Sequence, residues 1–244
     1  MALNPMHQFE VYKIGPEINL NGVNVSFTNA SLFMTISSIL ILSLLFFGTK
    51  KKSLIPTKLQ LITEMSYTFV AKMINDTAGT SAKSFFPFIF TLFMFVLFCN
   101  MVGMLPYSFT VTSHIIVTFV LAAFVFVGVT VVGFIKHGIK YLELFVPKGV
   151  PIVLLPLIVI IEVISYLSRP VSLSVRLFAN MMAGHTMLKV FGGFVISLGL
   201  LGGWLPLSFS VALTGLEILV AFLQAYVFAI LTCIYLNDAL NLHH

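Results

Sequence analysis

The chain has 244 residues, of which 59% are hydrophobic and only 9% charged, with a formal net charge of +5. A soluble domain carries about a quarter charged residues, and one this apolar would leave much of its hydrophobic surface facing water. A soluble fold is excluded, lipid is the consistent solvent, and the length allows five or six membrane helices in a single membrane domain over 1–244. The lysines stand in loops beside apolar runs, which is an orientation signal rather than a nucleic-acid footprint. Cys99 and Cys233 lie in apolar runs without metal or redox spacing and read as buried thiols.

Taken in order, the first 25 residues include Glu10, Lys13 and Glu17 and match neither a secretory signal nor a transit peptide. The uncharged run 27–47 is long enough for one crossing. Lys50, Lys51, Lys52 and Lys58 follow it, so its end is expected inside and the N-terminus outside. In 57–78, Leu59, Ile62, Met65, Phe69 and Met73 recur at helical spacing among Glu64, Lys72 and Asp76, which describes an amphipathic helix on the inner surface. The runs 85–105 and 115–135 cross outward and back, stopping at Pro106 and at Lys136, His137 and Lys140. A connector with Glu143, Pro147, Lys148, Gly149 and Pro151 leads to 152–201, an apolar stretch interrupted by Glu162, Arg169, Arg176, His185 and Lys189. As one helix it would measure about 75 Å, so it either breaks, with Pro170 as a candidate kink, or lies strongly tilted. Gly199, Gly202, Gly203 and Pro206 form a turn before the last helix, 207–237. The expected fold is an all-α integral membrane protein of five to six helices, ending in a hairpin of two long, strongly tilted helices.

A charge at a helix centre in the bilayer costs about 2.5–3.5 kcal/mol even on the mildest scale. Of the chain's two arginines, Arg169 and Arg176, the first is near enough to a span end to snorkel, whereas Arg176 has apolar neighbours on both sides. At about 100° per residue, Glu162, Arg169, Ser172, Arg176 and Asn180 share one stripe, and His185 with Lys189 faces the other way. Glu217, Gln224 and Tyr235 share a stripe on the last helix. Folding the two helices antiparallel about the glycines brings His185 level with Glu217, Arg176 with Gln224, and Glu162 with Asp238. Carboxylates and histidine take up and release protons, but arginine does not. Titratable pairs on either side of a permanent cation describe a proton path with a block in it. No carboxylate of the chain neutralises Arg176 at its own level, so its counter-ion is expected from another subunit.

These residues carry a family resemblance. RPVSLSVRLFANMMAGH (169–185) and LEILVAFLQAYVFAILTCIYLNDA (216–239) resemble the signature and the final helix of subunit a of the rotary ATP synthases, and FCNMVGMLPYSFTVTSH (98–114), with Asn100, resembles its outward turn. The resemblance covers essentially the whole chain. It implies that Arg176 faces the acidic residue of each c subunit of a rotating ring, with Asn180 and Gln224 as polar neighbours. It further implies that His185 and Glu217 line the outer half-channel and Glu162 and Asp238 the inner one, with Arg169, Ser172, Asn100 and Tyr235 as supporting residues. Histidine at 185 looks mitochondrial or alphaproteobacterial. The implied partners are a c-ring, peripheral-stalk subunits and lipid in a hetero-oligomeric complex of an energy-coupling inner membrane. Neither cofactor nor metal is implied, and ATP chemistry belongs to another sector.

A self-contained proton-coupled transporter is the alternative, weakened by the missing internal repeat and by the missing anion beside Arg176. A haem subunit would want two facing histidine pairs, and only His185 lies well inside an apolar run.

Overall fold

A computed structural model describes residues 9–14, 19–20, 23–24, 26–50, 56–105, 108–146 and 154–241. Lys51, Lys52, Pro106, Pro147, Lys148, Gly149 and Pro151 lie outside the described residues. A two-residue antiparallel pair, β1 (Asn19–Leu20) with β2 (Val23–Asn24), precedes six helices. These are α1 (Asn29–Lys50), α2 (Lys58–Ala78), α3 (Phe86–Gly103), α4 (Ile115–His137), α5 (Leu155–Gly202) and α6 (Trp204–Leu240). All but α2 are long and apolar enough to cross a bilayer. The expected all-α membrane architecture is therefore observed, with helix ends within a few residues of their expected positions.

Local chemistry accounts for the ends. The Thr57 hydroxyl accepts from the Gln60 amide at the start of α2. Pro87 lies in the first turn of α3, where its missing N–H costs nothing. Lys136 and His137, closing α4, donate to the Leu240 carbonyl at 2.9 and 3.1 Å and so cap the negative end of α6. The amphipathic α2 is two-sided: Phe69 stacks on Phe93, Phe222 and Tyr226 and Met73 is buried, while Leu59, Ile62 and Met65 remain exposed.

Helix α5 is continuous through Pro170, so the chain does not break there. Helical dihedrals fail only at Gly199, at φ +62°, which glycine adopts without a Cβ penalty. The reversal is tight at Gly203, where an added Cβ would lie 2.6 Å from the Gly199 carbonyl oxygen. Pro206 then sits in the first turn of α6. At 1.5 Å per residue α5 is about 70 Å long, over twice the hydrocarbon thickness, so it lies strongly inclined. Ala221, Ala225, Ala229 and Cys233, each fully buried, make a small-residue stripe along α6 that lets α3 and α5 approach closely. Against it pack Phe93, Met94, Leu173, Leu177 and Met181. Both cysteines are buried and free, as their sequence setting suggests.

Helix α4 is fastened to α5 by hydroxyls: Thr118 to Ser174 at 3.2 Å, and Thr130 to Tyr166 at 2.7 Å, with Tyr166 in turn 3.0 Å from Tyr141. The buried Tyr141 ring occupies the space over Gly133 where a Cβ would stand, whereas Gly128 has open space. Gly133→Ala is therefore expected to destabilise by about 1–3 kcal/mol through overpacking, while Gly128→Ala has little effect. Thermal denaturation of the detergent-solubilised complex checks this, and equal midpoints for the two variants would contradict the packing described.

Candidate functional site

The polar side chains of α5 and α6 meet at three levels along the hairpin. Nearest the turn, His185 and Glu217 form a buried ion pair, Nδ1 against Oε1, with side chains 11% and 5% exposed. The other ring nitrogen, Nε2, lies 2.8 Å from the Gly103 carbonyl oxygen at the end of α3. A carbonyl only accepts, so Nε2 carries a hydrogen, and Nδ1 is the ring nitrogen turned to the carboxylate. Space for that carboxylate exists because residue 184 is glycine: a Cβ there would approach Oε1 to 2.8 Å.

At the next level Asn180 donates to the Gln224 side-chain carbonyl at 3.0 Å. Arg176, one turn away on α5, is exposed, and among the described residues it has no ion pair or side-chain hydrogen bond. Leu173, Leu177 and Met181 are buried along the packed side of the helix while Arg176 is exposed, so Arg176 points outward from the bundle at the centre of an apolar helix. Ser172 is exposed on the same face, as are Ser165, Ser168, Ala179 and Ala183. Small residues of this kind let a neighbouring helix come near.

The third level corrects the register expected from the sequence. Asp238 pairs with Arg169 rather than facing Glu162: the Arg169 guanidinium donates to Asp238 Oδ2 at 3.2 Å. The guanidinium also lies between two rings, 5.3 Å from the centroid of Tyr166 and 5.0 Å from that of Tyr235, a desolvated setting in which cation–π attraction adds to the ion pair. Glu162, two turns further from the hairpin's turn, is half-buried and has no ion pair among the described residues. The constant-sum register assumed straight helices, whereas the observed pairs drift by about a turn along the hairpin.

Several buried atoms in this strip have no hydrogen-bond partner among the described residues, including Glu217 Oε2, Gln224 Nε2 and Asn100 Oδ1. The Asn100 amide donates to the Ala221 carbonyl, 3.1 Å away and one turn beyond Glu217. Buried polar atoms are seldom left unpaired, and a polar, roomy strip meets the need with water.

Some of the site was not foreseen. The Gly103 carbonyl, Tyr166 as the second face of the Arg169 clamp, and the Arg169–Asp238 pair emerge only from the structure. A backbone acceptor leaves no mark in a sequence. The clamp did leave one: Tyr166 and Arg169 are three apart, hence neighbours on one face of a helix.

Fold and site together define a polytopic membrane protein with a buried acid–base pair and an outward-facing, unneutralised arginine, the equipment of a proton-conducting membrane subunit. The chain belongs to the ATP synthase A chain family, whose profile matches residues 31–237. It is 78% identical over its whole length to the ATP synthase subunit a of Pelagibacter ubique, itself covered completely. It is 60% identical to that of Rhizobium rhizogenes and 56% identical to that of Parvibaculum lavamentivorans, over 99% of this chain and 98% and 95% of theirs.

Two outcomes test this geometry. A double-mutant cycle of Arg169→Met and Asp238→Asn is expected to return a coupling energy of about 1 kcal/mol in the thermal stability of the complex; a value near zero would make the pair incidental. The second concerns His114, half-buried and stacked on Phe109 at 4.9 Å, whose burial holds its pKa below the usual imidazole value. A depressed histidine pKa adds stability above about pH 6.5 that is lost as pH falls below it. Amide protection factors in 108–114, which correct for the intrinsic pH dependence of exchange, should therefore fall as pH drops below about 6.5 in the parent and not in His114→Phe, and identical profiles would exclude the effect.

Proposed function

We propose that the chain is the proton-conducting stator subunit of an ATP synthase membrane sector, working against a rotating c-ring and held by peripheral-stalk subunits in an energy-coupling inner membrane. It makes and breaks no covalent bond itself. Protons reach the ring from outside through His185 and Glu217, load a ring carboxylate beside Arg176, and leave after almost a full rotation near Glu162. The observation that carries this reading is Arg176, an exposed guanidinium with no counter-ion among the described residues. Its charge cannot titrate, so it stops a proton from passing directly between the two sides and attracts an ionised carboxylate presented by a partner. Asn180 and Gln224 supply neutral donors and acceptors beside it. A self-contained transporter would leave that cation unneutralised in lipid.

The pairing of Asp238 with Arg169 refines the inner half of the path. Asp238 bonds to the Arg169 guanidinium, while Glu162 has no ion pair among the described residues, and in this reading both are acidic groups of the inner half-channel. On sidedness, the start of α1 packs on the turn before α4, where Ala30, Phe33 and Met34 meet Phe109 and Val111. This supports an N-terminus and a 108–114 turn that share the outer side, with Lys50 inside.

The central test is Arg176→Ala. Coupled ATP synthesis is expected to be abolished while the complex still assembles, and Arg176→Lys is expected not to restore it, because a point charge engages a passing carboxylate differently from a planar fork of donors. Proton pumping per assembled complex is the measurement. Normal pumping in the alanine variant would refute the proposal, and a loss of complex with normal pumping in what remains would reduce Arg176 to a structural part.

A further inference from the structure

Three side-chain donors converge on one backbone oxygen at the end of α3. The Gly103 carbonyl accepts from Ser108 Oγ at 3.0 Å, from Thr110 Oγ1 at 3.0 Å and from His185 Nε2 at 2.8 Å. The single Ser108 hydroxyl hydrogen is shared between this oxygen and the nearer Leu105 carbonyl at 2.7 Å, and Thr110, itself 2% exposed, has its carbonyl occupied by the Ser113 hydroxyl at 2.6 Å. The oxygen that holds His185 is thus fixed from the far side by the 108–113 turn. The approach is possible only because residue 103 has no side chain. A Cβ there would lie 2.8 Å from Thr110 Cγ2, 3.0 Å from its Oγ1 and 3.1 Å from its Cβ. Thr110 is β-branched, buried and bonded to the very residue that would push it, so it has no cheap rotamer to retreat to.

We infer that Gly103 is a positioning residue for the proton relay: its carbonyl, tied down by Ser108 and Thr110, locks the Nε2–H of His185, so that protons load and leave at the Glu217 edge of the pair. The inference rests on the reading of His185 and Glu217 as the outer relay. An imidazole passes a proton through its ring only if both nitrogens are free to exchange, and here one is committed to a backbone acceptor. The resting pair holds one exchangeable proton between Nδ1 and Oε1. An arriving proton is taken up on Glu217 Oε2, which is buried and has no partner among the described residues. The loaded pair is then an imidazolium beside a neutral carboxyl group, and the same proton leaves from Oε2 toward the ring, restoring the starting state. The histidine in this scheme is a fixed cation that tunes Glu217, and Glu217 alone is the carrier.

Passive proton conduction through the reconstituted membrane sector, normalised to assembled complex and followed against pH, tests the inference. Alanine is the better helix former, so Gly103→Ala acts through Thr110 and not through the helix. It is expected to lower conduction between about tenfold and a hundredfold, as displacements of about 1 Å at a reacting centre do, and to displace the pH profile. Gly103→Ala combined with Thr110→Ser removes the nearest crowding atom, Cγ2, keeps the hydroxyl that bonds the carbonyl, and is expected to recover much of the conduction. Normal conduction with an unshifted profile in Gly103→Ala, or no recovery in the double variant, overturns the inference. Independently of any variant folding, nitrogen-15 spectra of histidine-labelled parent complex should show His185 protonated at Nε2 across its titration; a neutral form protonated only at Nδ1 overturns it too. Glu217→Gln separates the layers. If it conducts normally, the relay reading itself fails; if it is blocked while Gly103→Ala is normal, only the role of Gly103 fails.

Discussion

A bilayer interior leaves a polar group few choices, because no water stands ready to take up an unmatched charge or donor. Each ionisable side chain on α5 and α6 can be understood by what neutralises it. His185 and Glu217 neutralise each other under a backbone carbonyl. Arg169 is matched by a carboxylate and two aromatic faces. Arg176 is matched by no ion pair among the described residues. The inclined hairpin, the alanine stripe that brings its helices close, and the glycines at 103, 184 and 203 all serve to put these groups at fixed depths beside one another.

The same constraint explains why so much of the fold was legible. Apolar runs of the right length, punctuated by lysine, glycine and proline, have one solution in lipid, and 27–47, 85–105 and 115–135 were read within a few residues of α1, α3 and α4. The pairing of His185 with Glu217 was legible because both lie close to the turn, where an antiparallel register has little length over which to drift. Asp238 lies at the far end of α6, and there the drift exchanged its expected partner Glu162 for Arg169. Pro170 does not end the helix. A missing N–H inside a helix is a local cost of about 3 kcal/mol, and the packing of Leu173, Leu177 and Met181 on α6 keeps the helix running regardless. The Gly103 acceptor could not be read at all, since every residue has a carbonyl and only the fold decides which one faces a histidine.

The two ends of the hairpin are built on different principles. Near the turn the relay is poised: an imidazole nitrogen is turned to a carboxylate, and one carboxylate oxygen has no partner among the described residues. At the other end Arg169 is immobilised from three directions, and hydroxyls of Thr130, Tyr166 and Tyr141 continue the fixed network into α4. A path for protons needs exchangeable groups, but the barrier dividing it needs groups that do not move or titrate, and α5 carries both kinds within a few turns of helix.

The bare guanidinium of Arg176 also bears on how the complex is put together. An arginine facing hydrocarbon at mid-helix carries a penalty of at least about 2.5–3.5 kcal/mol, which corresponds to roughly a hundredfold bias in an equilibrium at about 1.4 kcal/mol per tenfold. That penalty is borne only while the subunit is alone, and it is relieved when a partner brings a carboxylate to the exposed face of α5. Arg176 thus marks an unassembled subunit as energetically incomplete, so that the orphan chain is biased toward docking, or toward removal by the surveillance that clears unpartnered membrane proteins.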